Sequence, residues 1–126
     1  MAIQLNHIIV VCRDKKRSST FLAEMLGLPR AKSFGPFLEV DTANGVSLAF
    51  LEHDGEVAPQ HYAFLIGEDD FDAVFGRIRE RGLEYWADPF LRRPGEINHN
   101  DGGRGVYFKD PDGHFLEVIT RPYGSH

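Results

Sequence analysis

Two apolar, β-prone runs stand out along the chain, LNHIIVVC at residues 5–12 and QHYAFLIG at residues 60–67. Each carries a histidine near its start, and each leads into a charged segment whose apolar residues recur at helical spacing. In the first segment Phe21, Leu22, Met25 and Leu26 form the stripe and Gly27 is the stop; in the second, Phe71, Val74, Phe75 and Ile78 precede Gly82. His7 lies 20 residues before Gly27 and His61 lies 21 before Gly82, and a leucine follows each glycine. Shorter strand-like runs come next: AKSFG, PFLEVDT and VSLAFLE in the first half, then LEYWA, GVYFKD and HFLEVIT in the second. The pattern reads as two βαβββ modules, about 1–55 and about 58–122, in a single domain over 1–126, with a loop-like junction at 53–59.

Strand side chains alternate between faces, which puts Leu5, His7, Ile9 and Val11 together and Ile8, Val10 and Cys12 opposite. The repeat sets His61, Ala63 and Leu65 against Tyr62, Phe64 and Ile66. A sheet must bury a face against another layer, so the expected architecture is α+β: paired modules forming a curved mixed sheet, helices outside, both histidines on the concave side.

The last two runs are joined by Pro111-Asp112-Gly113, which suits a three-residue hairpin loop with proline starting a type I turn and glycine in the left-handed position. Asp110 then pairs with His114, and counting outwards brings Tyr107 opposite Glu117 on one face. A two-residue loop would separate them. His114 falls on the other face. The polar stretch LRRPGEINHNDGGRG, residues 91–105, has the composition of a loop that carries function.

Composition narrows the partners. The chain has 126 residues, 42% of them hydrophobic and 26% charged, enough for a core without disulfides or structural metal. A net charge of -5 without a basic stripe argues against nucleic acid. No apolar run has the length of a membrane span, and the first residues lack the features of a signal peptide, so a cytoplasmic protein is expected. The single Cys12, in an apolar strand, reads as a packed thiol in a reducing compartment. The closing Gly-Ser-His is set aside as a possible cloning remnant, so His126 enters no site. Apolar sheet edges and rim surface point to a homodimer.

His7, His61 and Glu117 lie on three different strands. Taken singly, each histidine reads as an ordinary hydrogen-bonded strand residue. Taken together, at repeat-equivalent positions with a glutamate in an otherwise apolar strand, they read as a metal site: two imidazoles and a carboxylate suit Fe(II) and serve Mn, Zn, Co or Ni. A fourth ligand is not offered by the repeat, because Gly45 matches Gly113 and the counterpart of Glu117 is then Ala49, or Leu48 with a one-residue slip. Three protein ligands leave positions for substrate, which suits catalysis.

The paired modules, the two strand histidines, HYAF and DPDGHFLE together resemble the vicinal oxygen chelate superfamily, which includes glyoxalase I, fosfomycin-resistance transferases, bleomycin-resistance proteins and type I extradiol dioxygenases. The resemblance implies a divalent metal on His7, His61 and Glu117. An apolar residue at 48 or 49 differs from glyoxalase I, which uses a second glutamate there, and Ile9 differs from the threonine of fosfomycin-resistance enzymes. Bleomycin-binding members have generally lost the metal ligands. The extradiol signature is matched by His99, Val106, Tyr107, Asp110, Pro111, Gly113 and Glu117, which implies that His99 and Tyr107 contact substrate oxygens. By the same resemblance His53 is the candidate proton carrier. The implied function is ring cleavage of a catechol-like aromatic diol, with Phe34, Phe37, Phe50, Trp86 and Phe90 as candidate lining. The alternatives are a glyoxalase-like lyase or isomerase, a thiol transferase, or an antibiotic-binding protein without turnover.

Overall fold

The computed structural model describes residues 2–124, and His126 lies outside the described residues. The elements run β1 (His7–Cys12), α1 (Lys15–Leu26), β2 (Lys32–Phe34), β3 (Phe37–Asp41), β4 (Ser47–Glu52), β5 (His61–Leu65), α2 (Glu68–Glu80), β6 (Tyr85–Trp86), β7 (Gly105–Lys109) and β8 (Phe115–Ile119). Each half is therefore βαβββ, as the periodicity predicts. The chain divides after Ala58 into two compact units.

In the first unit the strand order is β1-β4-β3-β2, with β1 parallel to β4 and the other pairs antiparallel. Asp14 caps α1 by accepting the backbone N–H groups of Lys16 and Arg17, each at 3.1 Å. Gly27 ends the helix at φ 67°, and the Leu28 N–H reaches back to the Ala23 carbonyl at 2.9 Å. The buried face of α1 is Ser18, Ser19, Leu22, Ala23 and Met25, turned slightly from the expected stripe, so that Phe21 and Leu26 are half-buried. Small residues there let the helix lie against β3 and β4, where Val40, Leu48 and Phe50 meet Val10 and Cys12 in the core.

The second unit repeats the plan, β5-β8-β7-β6, again with one parallel pair. No side chain caps α2, but Glu68, Asp69 and Asp70 in its first turn and Arg77 and Arg79 in its last complement the helix dipole. It buries Phe71, Val74 and Ile78, and Phe75 meets Tyr85 edge-on at 5.1 Å between ring centres. Arg104 clamps the helix start, 2.8 Å from both Glu68 and Asp72 and stacked 4.4 Å over Phe71. Val106, Phe108, Leu116 and Val118 complete this core.

The faces alternate as expected. Val10 and Cys12 are buried while His7 and Ile9 are exposed; Tyr62 and Phe64 are half-buried while His61, Ala63 and Leu65 are exposed. Among the described residues no helix is long and apolar enough to cross a membrane.

Candidate metal centre

The site of the second unit is built by a hairpin loop. The Asp110 N–H bonds the His114 carbonyl at 2.9 Å, the Gly113 N–H bonds the Asp110 carbonyl at 3.1 Å, and Gly113 sits at φ 87°. Asp110 Oδ1 also accepts the N–H groups of Asp112 and His114, both at 2.9 Å, which locks the loop from inside. Burial holds the Asp110 carboxyl above its ordinary range against these hydrogen bonds. The resulting register sets Tyr107 opposite Glu117. Buried His114 turns to the opposite face, where its Nδ1 accepts the Gln60 N–H at 2.9 Å and its ring meets Tyr62 edge-on.

Ladder partners share a face, so Ala63, Glu117, Tyr107 and Trp86 form one row across the sheet, and His61, Phe115 and Lys109 form the next. Glu117 is only 2% exposed, whereas the His61 side chain is 44% exposed, and their Oε1 and Nε2 atoms are 2.9 Å apart. The other carboxylate oxygen, Oε2, accepts the hydroxyl of Tyr123, which lies 3.1 Å from the Tyr107 hydroxyl. Burial, with its hydrogen bonds to Tyr123 and Glu117, pushes the Tyr107 phenol well above its ordinary range; burial and Glu117 do the same for Tyr123. Both are therefore neutral hydrogen-bond donors at physiological pH. Lys109 lies 5.5 Å over the Trp86 ring and 5.3 Å over that of Phe115.

This donor set fits a divalent metal. Two ligand atoms on adjacent corners of an octahedron with bonds of about 2.1 Å stand roughly 3 Å apart, which is the spacing that His61 Nε2 and Glu117 Oε1 already hold. In the first unit the His7 Nδ1 is 2.8 Å from Asn6 Oδ1, a carbonyl oxygen that can only accept, so this contact engages Nδ1 as donor and leaves Nε2 as the nitrogen that would serve a metal. Among the described residues no three His, Cys, Asp or Glu side chains form a group able to hold a metal ion.

The structure thus brings His61, Glu117 and Tyr107 together. His7 and His53 belong to the first unit, where His53 is exposed in the loop after β4 and its N–H bonds the Cys12 carbonyl at 2.9 Å. His99 is exposed and opens a short 3-10 turn, Asn100–Gly102, below buried Asn98. The expected aromatic lining divides. Phe50 pairs with Val10 on the helix side and is core, which corrects its placement in a pocket, because its strand parity matches Leu48. Trp86 does share the Glu117 face, while Phe34 and Phe90 are 66% and 74% exposed. The ladder also resolves the counterpart of Glu117: Ile9 pairs with Ala49 as Ala63 pairs with Glu117, so it is Ala49. Tyr123 was not legible in advance. It lies beyond the last strand in RPYG, where period-two reasoning has nothing to count.

The fold and the paired donors define a class of protein: the chain belongs to the Glyoxalase/Bleomycin resistance protein/Dioxygenase superfamily, whose family model matches residues 4–118. The solved structure of Oxidase ChaP-H2 is similar at 65% identity, with a TM-score of 0.97 covering 99% of this chain and 98% of that one. The glutathione transferase FosA of Serratia marcescens is 32% identical over 125 residues, 94% of this chain and 81% of that protein. A FosX structure from Listeria monocytogenes complexed with Mn(II) and sulfate shares the fold at 24% identity, with a TM-score of 0.72 over 97% of this chain and 93% of that one.

Proposed function

We propose that the chain is a divalent-metal oxidase that holds Fe(II) on His7, His61 and Glu117 and uses dioxygen on an aromatic substrate with two adjacent oxygens, in the manner of an extradiol dioxygenase. The observation that carries this reading is the ready-made ligand edge between His61 and Glu117, with a neutral phenol, Tyr107, in register beside it. The similarity at 65% identity to a protein named an oxidase supports the redox branch.

The metal supplies Lewis-acid binding of adjacent oxygens and an electron path to dioxygen. The chain's own residues do the rest. Tyr107, whose own proton goes to Tyr123, offers its phenol oxygen as acceptor to a substrate hydroxyl, and the Lys109 ammonium over Trp86 and Phe115 offers a cation on the same face to an anionic ring oxygen. His99 and His53, both exposed imidazoles, are the candidate proton carriers. In ring cleavage both atoms of dioxygen enter the product, so no external reductant is needed. A thiol transferase is the second reading, supported by the similarity to FosA.

Fe(II)-loaded protein given a catechol without oxygen should perturb the diol absorption, then take up an equimolar amount of oxygen and yield a coloured ring-opened product when air is admitted. His61→Ala and Glu117→Ala should remain folded and lose both responses. Iron-loaded protein that neither binds nor oxidises any of a panel of catechols, yet forms a thiol adduct of fosfomycin, would sink the oxidase reading in favour of transfer.

A further inference from the structure

The two oxygens of Glu117 are not equivalent. Oε1 faces His61 Nε2 at 2.9 Å, toward the open side of the sheet, while Oε2 accepts the Tyr123 hydroxyl, whose own oxygen lies 3.1 Å from the Tyr107 hydroxyl. A carboxylate is the only one of these three groups that cannot donate, so the chain of hydrogen bonds has one direction: Tyr107 to Tyr123 to Glu117 Oε2. The segment bearing Tyr123 is itself tied down. The Gly124 N–H bonds Asp101 Oδ2 at 3.2 Å, and Asp101 holds the left-handed conformation at φ 55°, one of two described residues other than glycine to do so, the second being Leu91. A strained residue persists only where its surroundings over-determine it. Here the loop that begins at His99 anchors the tail that reaches the carboxylate.

We propose that Tyr123 is a positioning residue for the metal ligand: by occupying Oε2 it fixes Glu117 as a one-oxygen donor through Oε1 and keeps a further coordination position open for substrate. The inference rests on the assignment of His61 and Glu117 as ligands. A carboxylate that lost this phenol would be free to rotate and chelate through both oxygens. Hydrogen-bond partners of ligating residues are worth about tenfold to a hundredfold in metal affinity, and a single partner on one oxygen falls at the lower end.

The test uses Mn(II) as probe on the full chain. Titration calorimetry gives the affinity, and the infrared difference between metal-loaded and metal-free protein gives the splitting of the carboxylate stretches, wide for one-oxygen and narrow for two-oxygen ligation. Tyr123→Phe should keep the far-ultraviolet circular dichroism of the parent, bind Mn(II) about tenfold more weakly, and narrow the splitting. Asp101→Ala, which releases the tail without touching the carboxylate, should shift both readouts part of the way. If Tyr123→Phe binds as tightly as the parent with an unchanged splitting, the proposal is wrong. If the parent itself fails to bind Mn(II), or if His61→Ala binds as the parent does, it is the ligand assignment that has failed.

Discussion

The two sheets have the same strand order, the same parallel pair and the same loop, yet one offers a buried carboxylate and the other does not. In the first unit the Thr42 N–H bonds the Val46 carbonyl at 2.9 Å and the Gly45 N–H bonds the Thr42 carbonyl at 3.1 Å, the pattern that Asp110, Gly113 and His114 make in the second. Both loops are also latched by a side-chain oxygen, since Thr42 Oγ1 accepts the Val46 N–H at 3.2 Å where Asp110 Oδ1 accepts that of His114 at 2.9 Å. The register is therefore equal, and position by position Ala49 stands for Glu117, Glu39 for Tyr107 and Lys32 for Trp86. Where the second unit has a closed relay of phenols on a carboxylate, the first has an open polar chain: Lys32 to Asp41 at 2.8 Å and Asp41 to Ser47 at 2.7 Å. The lesson is that the backbone plan supplies equivalent positions, and a few side chains decide which copy can act.

Exchanges across this pseudo-symmetry should break the two units very unequally. Ala49→Glu places a carboxylate at a position 1% exposed, opposite Glu39 and without a phenol to receive it, and should cost roughly 3–5 kcal/mol in urea unfolding. Trp86→Ala, which empties a packed indole site on the Glu117 face, should cost a similar amount, about 3–5 kcal/mol, and weaken metal binding with it. Lys32→Ala, at the equivalent place in the first unit, should leave the melting temperature within error, because that ion pair is exposed.

The glycines sharpen the comparison further. A Cβ at Gly45 or at Gly113 meets nothing within 4 Å, so the penalty of either valine substitution is the left-handed backbone alone. Gly45→Val and Gly113→Val should each lose about 1–2 kcal/mol of stability, but only the second should also lower metal affinity, since only there does the register serve a ligand. Equal effects on metal binding would mean that the loop does not set the site.

The smallest effect expected is a pH dependence. Burial raises the folded-state pKa of Asp110 above its unfolded value, so its contribution is fully present below the ordinary carboxyl range and is lost as pH rises through the raised value. Thr42 has no such titration. The difference in unfolding free energy between the parent and Asp110→Asn should therefore change with pH across that acidic window, and Thr42→Ala should show no change there. A flat difference for Asp110→Asn would place its carboxyl at the ordinary value.

Much of this could be read from the residues in order. Period-two alternation fixes which strand side chains share a face, so His7 and His61 were legible on the exposed side, and a three-residue glycine loop fixes a register, so Tyr107 was legible opposite Glu117. These are local rules in which every step is one residue along a ladder. What lay beyond them needed chain segments distant in sequence to meet. Ladder pairing chose Ala49 over Leu48, strand parity sent Phe50 to the core and Trp86 to the site, and the return of the tail put Tyr123 on Glu117. The aromatic residues were indistinguishable beforehand because an apolar ring satisfies a core or a pocket equally well, and only the packed neighbours decide between them. The sequence by itself determined the repeat, the helix stops, the faces and the hairpin register, because each follows from backbone geometry over a few residues. The tertiary structure alone decided which oxygen of Glu117 is held and which is offered, because that depends on a phenol whose position no local period can set.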